Sequence, residues 1–195
     1  MRAENVTINM LLYRSRWQFV SFPFDVRMSD IVPVDSTTQW VVREYDGENR
    51  ASGQMDSTWV NVPADGVLAA GKGYIMHCYN NNSDLVRFTV APVKESVNRQ
   101  AIFIADNREV ALEENLAEFE HNRSWNLIGN PYPTFYDTRF LGFESHITVW
   151  NSYTNSYYAY SPVDDSYILD PNEAFFVQRP IDQENMTLAK EGRQV

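Results

Sequence analysis

Cysteine and histidine are scarce in this chain of 195 residues, with one and three respectively. Cys78 has no partner for an intrachain disulfide, so the fold must hold through its core. The expected place for Cys78 is a packed position in or beside a strand. A nucleophilic role would need a nearby base, and the adjacent His77 would point to the opposite face of a strand. His77, His121 and His146 show no metal-ligand spacing. Gly 8 and Pro 9 exclude collagen-like and low-complexity classes. No apolar run approaches the length of about eighteen residues that a spanning helix needs. Basic residues are the minority, 16 Lys+Arg against 26 Asp+Glu, giving a net charge of −10. Such a surface repels phosphates and argues against nucleic-acid and anionic-membrane partners.

Catalytic signatures are missing as well. The chain has no Gly-x-Ser-x-Gly, His-Glu-x-x-His, phosphate loop or dinucleotide fingerprint. The densest oxygen clusters, Asp46-Gly47-Glu48-Asn49 and Asp164-Asp165, do not match an EF-hand loop and read as solvated turns. No catalytic residue, metal ligand or cofactor is assigned, and the chain is expected not to be an enzyme. Met1-Arg2-Ala3-Glu4 and the interrupted run after it do not form a signal peptide. Both ends read as cut from a longer chain.

What is present is a β pattern. Hydrophobic residues make up 44% and aromatics 14%, which argues against disorder. A chain of this mass should hide roughly 70% of its extended surface. Short runs bounded by breakers follow one another: Val6 to Tyr13, Trp17 to Phe22, Trp40 to Tyr45, Trp59 to Val62, Gly73 to Tyr79 and Leu85 to Val90. Asp46-Gly47 and Asn80-Asn81-Asn82 read as turns. Between Ala111 and Phe119, the spacing of Leu112, Leu116 and Phe119 fits either a short helix or an irregular strand.

An internal repeat organises the chain. Trp17-Gln18-Phe19-Val20-Ser21-Phe22-Pro23-Phe24 aligns with Trp125-Asn126-Leu127-Ile128-Gly129-Asn130-Pro131-Tyr132. Val42 to Asp46 aligns with Ile147 to Asn151, Trp59 falls opposite Tyr160, and Leu68 to Met76 falls opposite Leu169 to Val177. Leu85-Val86-Arg87 falls opposite Met186-Thr187-Leu188. The order of blocks is kept. The expected fold is therefore all-β, antiparallel and sandwich-like, with two pseudo-repeated halves at 5–92 and 98–190 and at most one short helix. A polar joint lies at Pro92 to Arg99. The halves are either two similar lobes or two sheets of one sandwich. Trp17 and Trp125, each leading a strand, are expected in matching buried sites.

These blocks carry a resemblance. The stretch Trp17-Gln18-Phe19-Val20-Ser21-Phe22-Pro23-Phe24-Asp25-Val26 with Ala69-Ala70-Gly71-Lys72-Gly73-Tyr74 resembles a module of secreted and surface proteins of Bacteroidetes. Trp125-Asn126-Leu127-Ile128-Gly129-Asn130-Pro131-Tyr132-Pro133 and Ala174-Phe175-Phe176-Val177-Gln178 are similar to its companion module. The resemblance implies an extracellular or cell-surface location inside a long multidomain protein, with neighbouring domains as partners. It supplies no catalytic residues.

The leading functional expectation is a non-catalytic scaffold or adhesion module. A carbohydrate-binding accessory module is the alternative, and a small glycan-active enzyme fragment comes third. The partner is then a glycan or a surface protein. Candidate ligand contacts lie on a hairpin from Val149 to Ser161. Tyr153 sits at its turn, and Tyr157 is expected to face outward, because Tyr160 aligned with Trp59 would turn Tyr158 and Tyr160 inward. Asn151 and Asn155 would supply polar contacts.

Overall fold

The computed structural model describes residues 7–79, 83–93 and 106–194. It is 45% strand and 12% helical. The first half runs β1 (Ile8–Tyr13), β2 (Gln18–Ser21), β3 (Val26–Arg27), β4 (Ile31–Pro33), β5 (Gln39–Tyr45), α1 (Gly47–Ala51), β6 (Trp59–Asn61), β7 (Val67–Leu68), β8 (Gly73–Tyr79) and β9 (Leu85–Val90). The second half runs β10 (Arg108–Ala111), β11 (Trp125–Gly129), β12 (Phe135–Asp137), β13 (Ile147–Asn151), β14 (Ser156–Tyr160), β15 (Ile168–Leu169), β16 (Ala174–Gln178), β17 (Asn185–Leu188) and β18 (Arg193–Gln194). The expected turn at residues 80–82 and most of the joint, from residue 94, lie outside the described residues.

The halves share one topology. The order β2-β8-β5-β6 in one sheet recurs as β11-β16-β13-β14 in the other. The pairs β1-β9 and β3-β7 recur as β10-β17 and β12-β15. All pairings are antiparallel. In each half the four-stranded sheet packs on the β1-type layer around its own core. Phe22, Met76 and Phe88 centre the first core, and Ile147, Phe175 and Leu188 the second. The halves are thus two sandwich-like lobes.

The two four-stranded sheets then meet face to face. This explains why β8 and β16 read as continuous apolar runs rather than alternating ones, since both of their faces are buried. Tyr74 and Met76 point into the first core, while Gly73 and Ile75 face the seam. The seam has its own aromatic cluster built from equivalent positions: Phe19 with Leu127, Ile75 with Phe176, Tyr45 with Trp150. Trp17 and Trp125 are such a pair, but each is half-buried at the edge of the seam rather than inside a lobe core. Trp150 Nε1 donates to the Trp17 carbonyl at 2.8 Å, tying the two lobes together.

Register corrects two of the block alignments. Tyr45 pairs with Trp59, and its counterpart Trp150 pairs with Tyr157, so Trp59 corresponds to Tyr157 and not to Tyr160. The first lobe lengthens this hairpin with α1, whereas the second closes it within four residues, 152–155. At the other end, Gln18 clamps the backbone of Tyr13 at 3.0 and 3.1 Å, and Asn126 clamps that of Glu113 at 2.7 and 3.0 Å. Tyr13 therefore corresponds to Glu113 and Met10 to Val110. Phe88 and Val90, opposite Met10 and Ile8, then match Met186 and Leu188.

The helix also sits elsewhere. Asp46 Oδ1 accepts from the Asn49 N–H at 2.8 Å and caps α1, the single α-helix among the described residues. Residues 112–119 are irregular, with Leu116 and Phe119 exposed.

Candidate functional site

Stacking two like sheets about a pseudo-two-fold axis leaves two equivalent recesses along the seam. One, between β10, β11 and the Ala70-Gly71-Lys72 turn, is small, about 160 Å³. The other, between β1, β2, the β13–β14 hairpin and the Pro171-Asn172-Glu173 turn, is a groove of about 620 Å³. The correspondence holds residue by residue. Gln18, Phe19 and Val20 line the groove where Asn126, Leu127 and Ile128 line the recess, and Met10, Leu11 and Tyr13 match Val110, Ala111 and Glu113. The two turns share a left-handed residue, Gly71 at φ 75° and Asn172 at φ 65°.

The lining differs sharply. The recess has two aromatics, Tyr45 and Trp125. The groove has eight, among them Phe135, Trp150, Tyr153, Tyr158 and Tyr160. The short second-lobe hairpin swings its tip, with Tyr153, against the first lobe. Tyr153 meets Tyr13 edge-on at 4.7 Å and carries the Arg16 guanidinium 4.7 Å over its ring, while Arg16 also donates to the Ser152 carbonyl at 2.6 Å. The Tyr13–Tyr153 pair thus forms a rim. Beyond it lies a second depression of about 510 Å³ that includes Arg14 and Arg16.

At the other end stands Glu173. Its Oε1 accepts from the Tyr167 hydroxyl at 2.8 Å and its Oε2 from the Asp170 N–H at 2.8 Å. Burial pushes its carboxyl up to about 7, against the pull of those two donors, and the nearby Asp170 charge adds to the rise. The counterpart of Glu173 is Lys72, a cation that pairs with Glu44 at 3.1 Å. Beside Glu173, the Asn172 side-chain oxygen is buried and makes no hydrogen bond. Among the described residues lining the groove there is no Lys, Arg or His.

Of the sequence-predicted contacts, Tyr153 and Asn151 line this groove. Asn151 Oδ1 accepts from the N–H groups of Tyr153 and Thr154 at 2.9 and 3.1 Å, so it builds the turn that presents Tyr153. Asn155 is exposed at the turn with φ 54° and lies outside the groove. Tyr157 also lies outside it. Its ring rests on the seam cluster, 4.8 Å from Trp150 and 6.1 Å from Phe19, although it remains 53% exposed. Tyr158 and Tyr160 share the opposite face and do line the groove. Glu173, Tyr167 and Phe135 had no signal in the sequence beyond their residue types.

Elsewhere the described residues hold no group of three or more His, Cys, Asp or Glu placed to bind a metal. No described helix is long and apolar enough to cross a membrane. Comparison with family models, curated proteins and solved structures finds no match to this chain.

Proposed function

We propose that the chain is a non-catalytic binding module of an exported surface protein, and that it serves adhesion by taking a neutral saccharide chain in the seam groove. One observation carries this reading. The fold makes two equivalent recesses, and only one is widened and lined with eight aromatic rings. A duplicated scaffold by itself would leave the two alike, so the difference supports the groove as the place of function. Aromatic faces stack on the apolar faces of sugar rings, and an open groove admits a chain rather than a single small molecule. The acidic surface, with a net charge of −10, favours an uncharged ligand over an anionic one. The resemblance to Bacteroidetes surface modules supports the exported, multidomain setting and the neighbouring domains as partners.

A glycan array of neutral oligosaccharides, followed by calorimetric titration, tests this. Binding is expected at roughly millimolar to high-micromolar Kd, as for a shallow site with few anchors. Tyr153→Ala/Tyr158→Ala should weaken it at least about tenfold, the scale of losing one or two aromatic contacts. Tyr157→Ala, outside the groove, should leave it nearly unchanged. If no array member binds, the groove is not a saccharide site and the module is a spacer between neighbouring domains.

A further inference from the structure

The groove is not uniform along its length. Its rim is aromatic, while one end gathers acceptors, the Glu173 carboxyl and the exposed Asp170. Resting on the saccharide reading above, we propose that Glu173 is the specificity-determining anchor of the groove, accepting a pair of hydroxyl donors from one sugar ring and binding ligand in its carboxylate form.

The geometry gives this residue a built seat. The Tyr167 hydroxyl holds one oxygen and the Asp170 N–H holds the other, so the plane of the carboxyl is fixed before a ligand arrives. Preorganisation of this kind removes the ordering cost from binding. Each carboxylate oxygen retains acceptor capacity beyond the single donor it already meets. The Glu173 backbone adds rigidity, because its carbonyl accepts from the Ser21 hydroxyl at 2.9 Å, and the N–H of Glu173 donates to the Asp170 carbonyl at 3.1 Å. The pseudo-equivalent position supplies an internal contrast. Lys72 has only donors, is neutralised by Glu44 across its own sheet, and lines the small recess.

Protonation is the natural control on such an anchor. The titratable groups facing the groove are Tyr13 from β1, Tyr153, Tyr158 and Tyr160 from the hairpin, Tyr167, and Asp170 on the same turn. Of these, Asp170 is the one carboxyl group besides Glu173. A ligand that offers only donors competes with the proton on Glu173. Binding should therefore release a proton, and affinity should rise with pH through the range near 7 in which Glu173 titrates.

The test uses the oligosaccharide that binds best among cellohexaose, xylohexaose, mannohexaose and chitohexaose. Titrations run at pH 5.5, 6.5, 7.5 and 8.5 in buffers of different ionisation enthalpy. Wild type should bind about tenfold more weakly at pH 5.5 than at pH 8.5, with net proton release in the middle of the range. Glu173→Gln, which keeps the shape and can still meet the Tyr167 hydroxyl and the Asp170 N–H, should bind about tenfold more weakly at pH 8.5 and show a flat profile. Binding that is lost in Tyr153→Ala/Tyr158→Ala but unchanged in Glu173→Gln, or that shows no proton release, overturns the anchor and leaves the groove standing. Absence of binding by all four hexasaccharides to wild type overturns the saccharide reading and the anchor together.

Discussion

Ser21 and Gly129 hold the same place in the two repeats and touch each other across the seam. The Ser21 hydroxyl lies 3.2 Å from the Asn130 carbonyl and 2.9 Å from that of Glu173, both in the other lobe. A methyl group on Gly129 would overlap the Ser21 Cβ and come within 2.9 Å of the Lys72 carbonyl. Gly73 repeats the situation against its own counterpart, Ala174, at 2.9 Å. The pseudo-two-fold axis runs between these small residues. They set how closely the sheets approach, and thereby the width of both seam recesses.

Gly129→Ala is therefore expected to lower stability by about 1–3 kcal/mol, the usual scale of overpacking, because the Ser21 Cβ and the Lys72 carbonyl, neither the far end of a flexible side chain, block the methyl. Gly142→Ala meets only Thr187, at 3.3 Å and beyond, and should cost well under about 1 kcal/mol. Chemical denaturation of both variants checks the contrast. Equal midpoints would mean that the sheets separate freely at the axis.

The seam tryptophans make a second case. Each is half-buried, so Trp17→Ala and Trp125→Ala should cost about 2–3 kcal/mol rather than the 3–5 kcal/mol of a fully buried aromatic. Phe176→Ala should reach the higher range. Phe176 is 5% exposed and meets Phe19, Tyr45, Trp59 and Trp125 within 6.2 Å. Equilibrium denaturation should rank Phe176 above both tryptophans, and the reverse order would place the main core at the seam edge.

Local pattern carried the strands and the repeat, because both depend on short segments. Gly73–Tyr79 and Leu85–Val90 are bounded by breakers and appear with the expected ends. The helix after Asp46 was read as a turn because Asp46-Gly47 serves as well for an N-cap as for a tight turn, and its capping partner Asn49 decides the matter. Leu112, Leu116 and Phe119 have helical spacing, yet backbone bonds from Glu113 and Asn115 to Asn126 and Ser124 hold that stretch extended. Tyr157 faces away from its own lobe core and is exposed, as alternation along the strand requires, although Trp59 aligns with Tyr157 rather than with Tyr160. The alignment slips because the hairpins of the two repeats differ in length, and an odd slip puts Trp59, a seam residue, opposite Tyr160, which packs on the lobe core. The groove itself was illegible, since it forms between lobes and its acid, Glu173, sits in what reads as ordinary turn material.

Cys78 offers a direct test of the first-lobe core. It is fully buried among Met76, Phe88 and their neighbours, and burial pushes its thiol up to about 11. A buried, protonated thiol is a poor nucleophile. At pH 8 the native protein should react with a thiol reagent far more slowly than the denatured chain, by on the order of a thousandfold if reaction requires global opening. Rapid labelling of the folded protein would show that β8 is accessible from the side of β1.

The pH dependence of stability should bear the mark of Glu173. Its folded pKa, about 7, lies above the ordinary 4.5, so folding favours its protonated form. The stability it contributes is fully present below the unfolded value and is lost as pH rises through the folded one, levelling off above about 7. A rise of this size corresponds to at most about 3 kcal/mol, with the contribution of Tyr167 and the Asp170 N–H already included. Glu173→Gln removes the titration while keeping the neutral shape. Measured against wild type, the variant should therefore gain relative stability between pH 4.5 and pH 8, and most of the gain should fall between pH 5 and 7. Because every other titrating group is common to both proteins, the difference in denaturation free energy isolates this one carboxyl. A difference that stays constant across that range would show that Glu173 is well solvated.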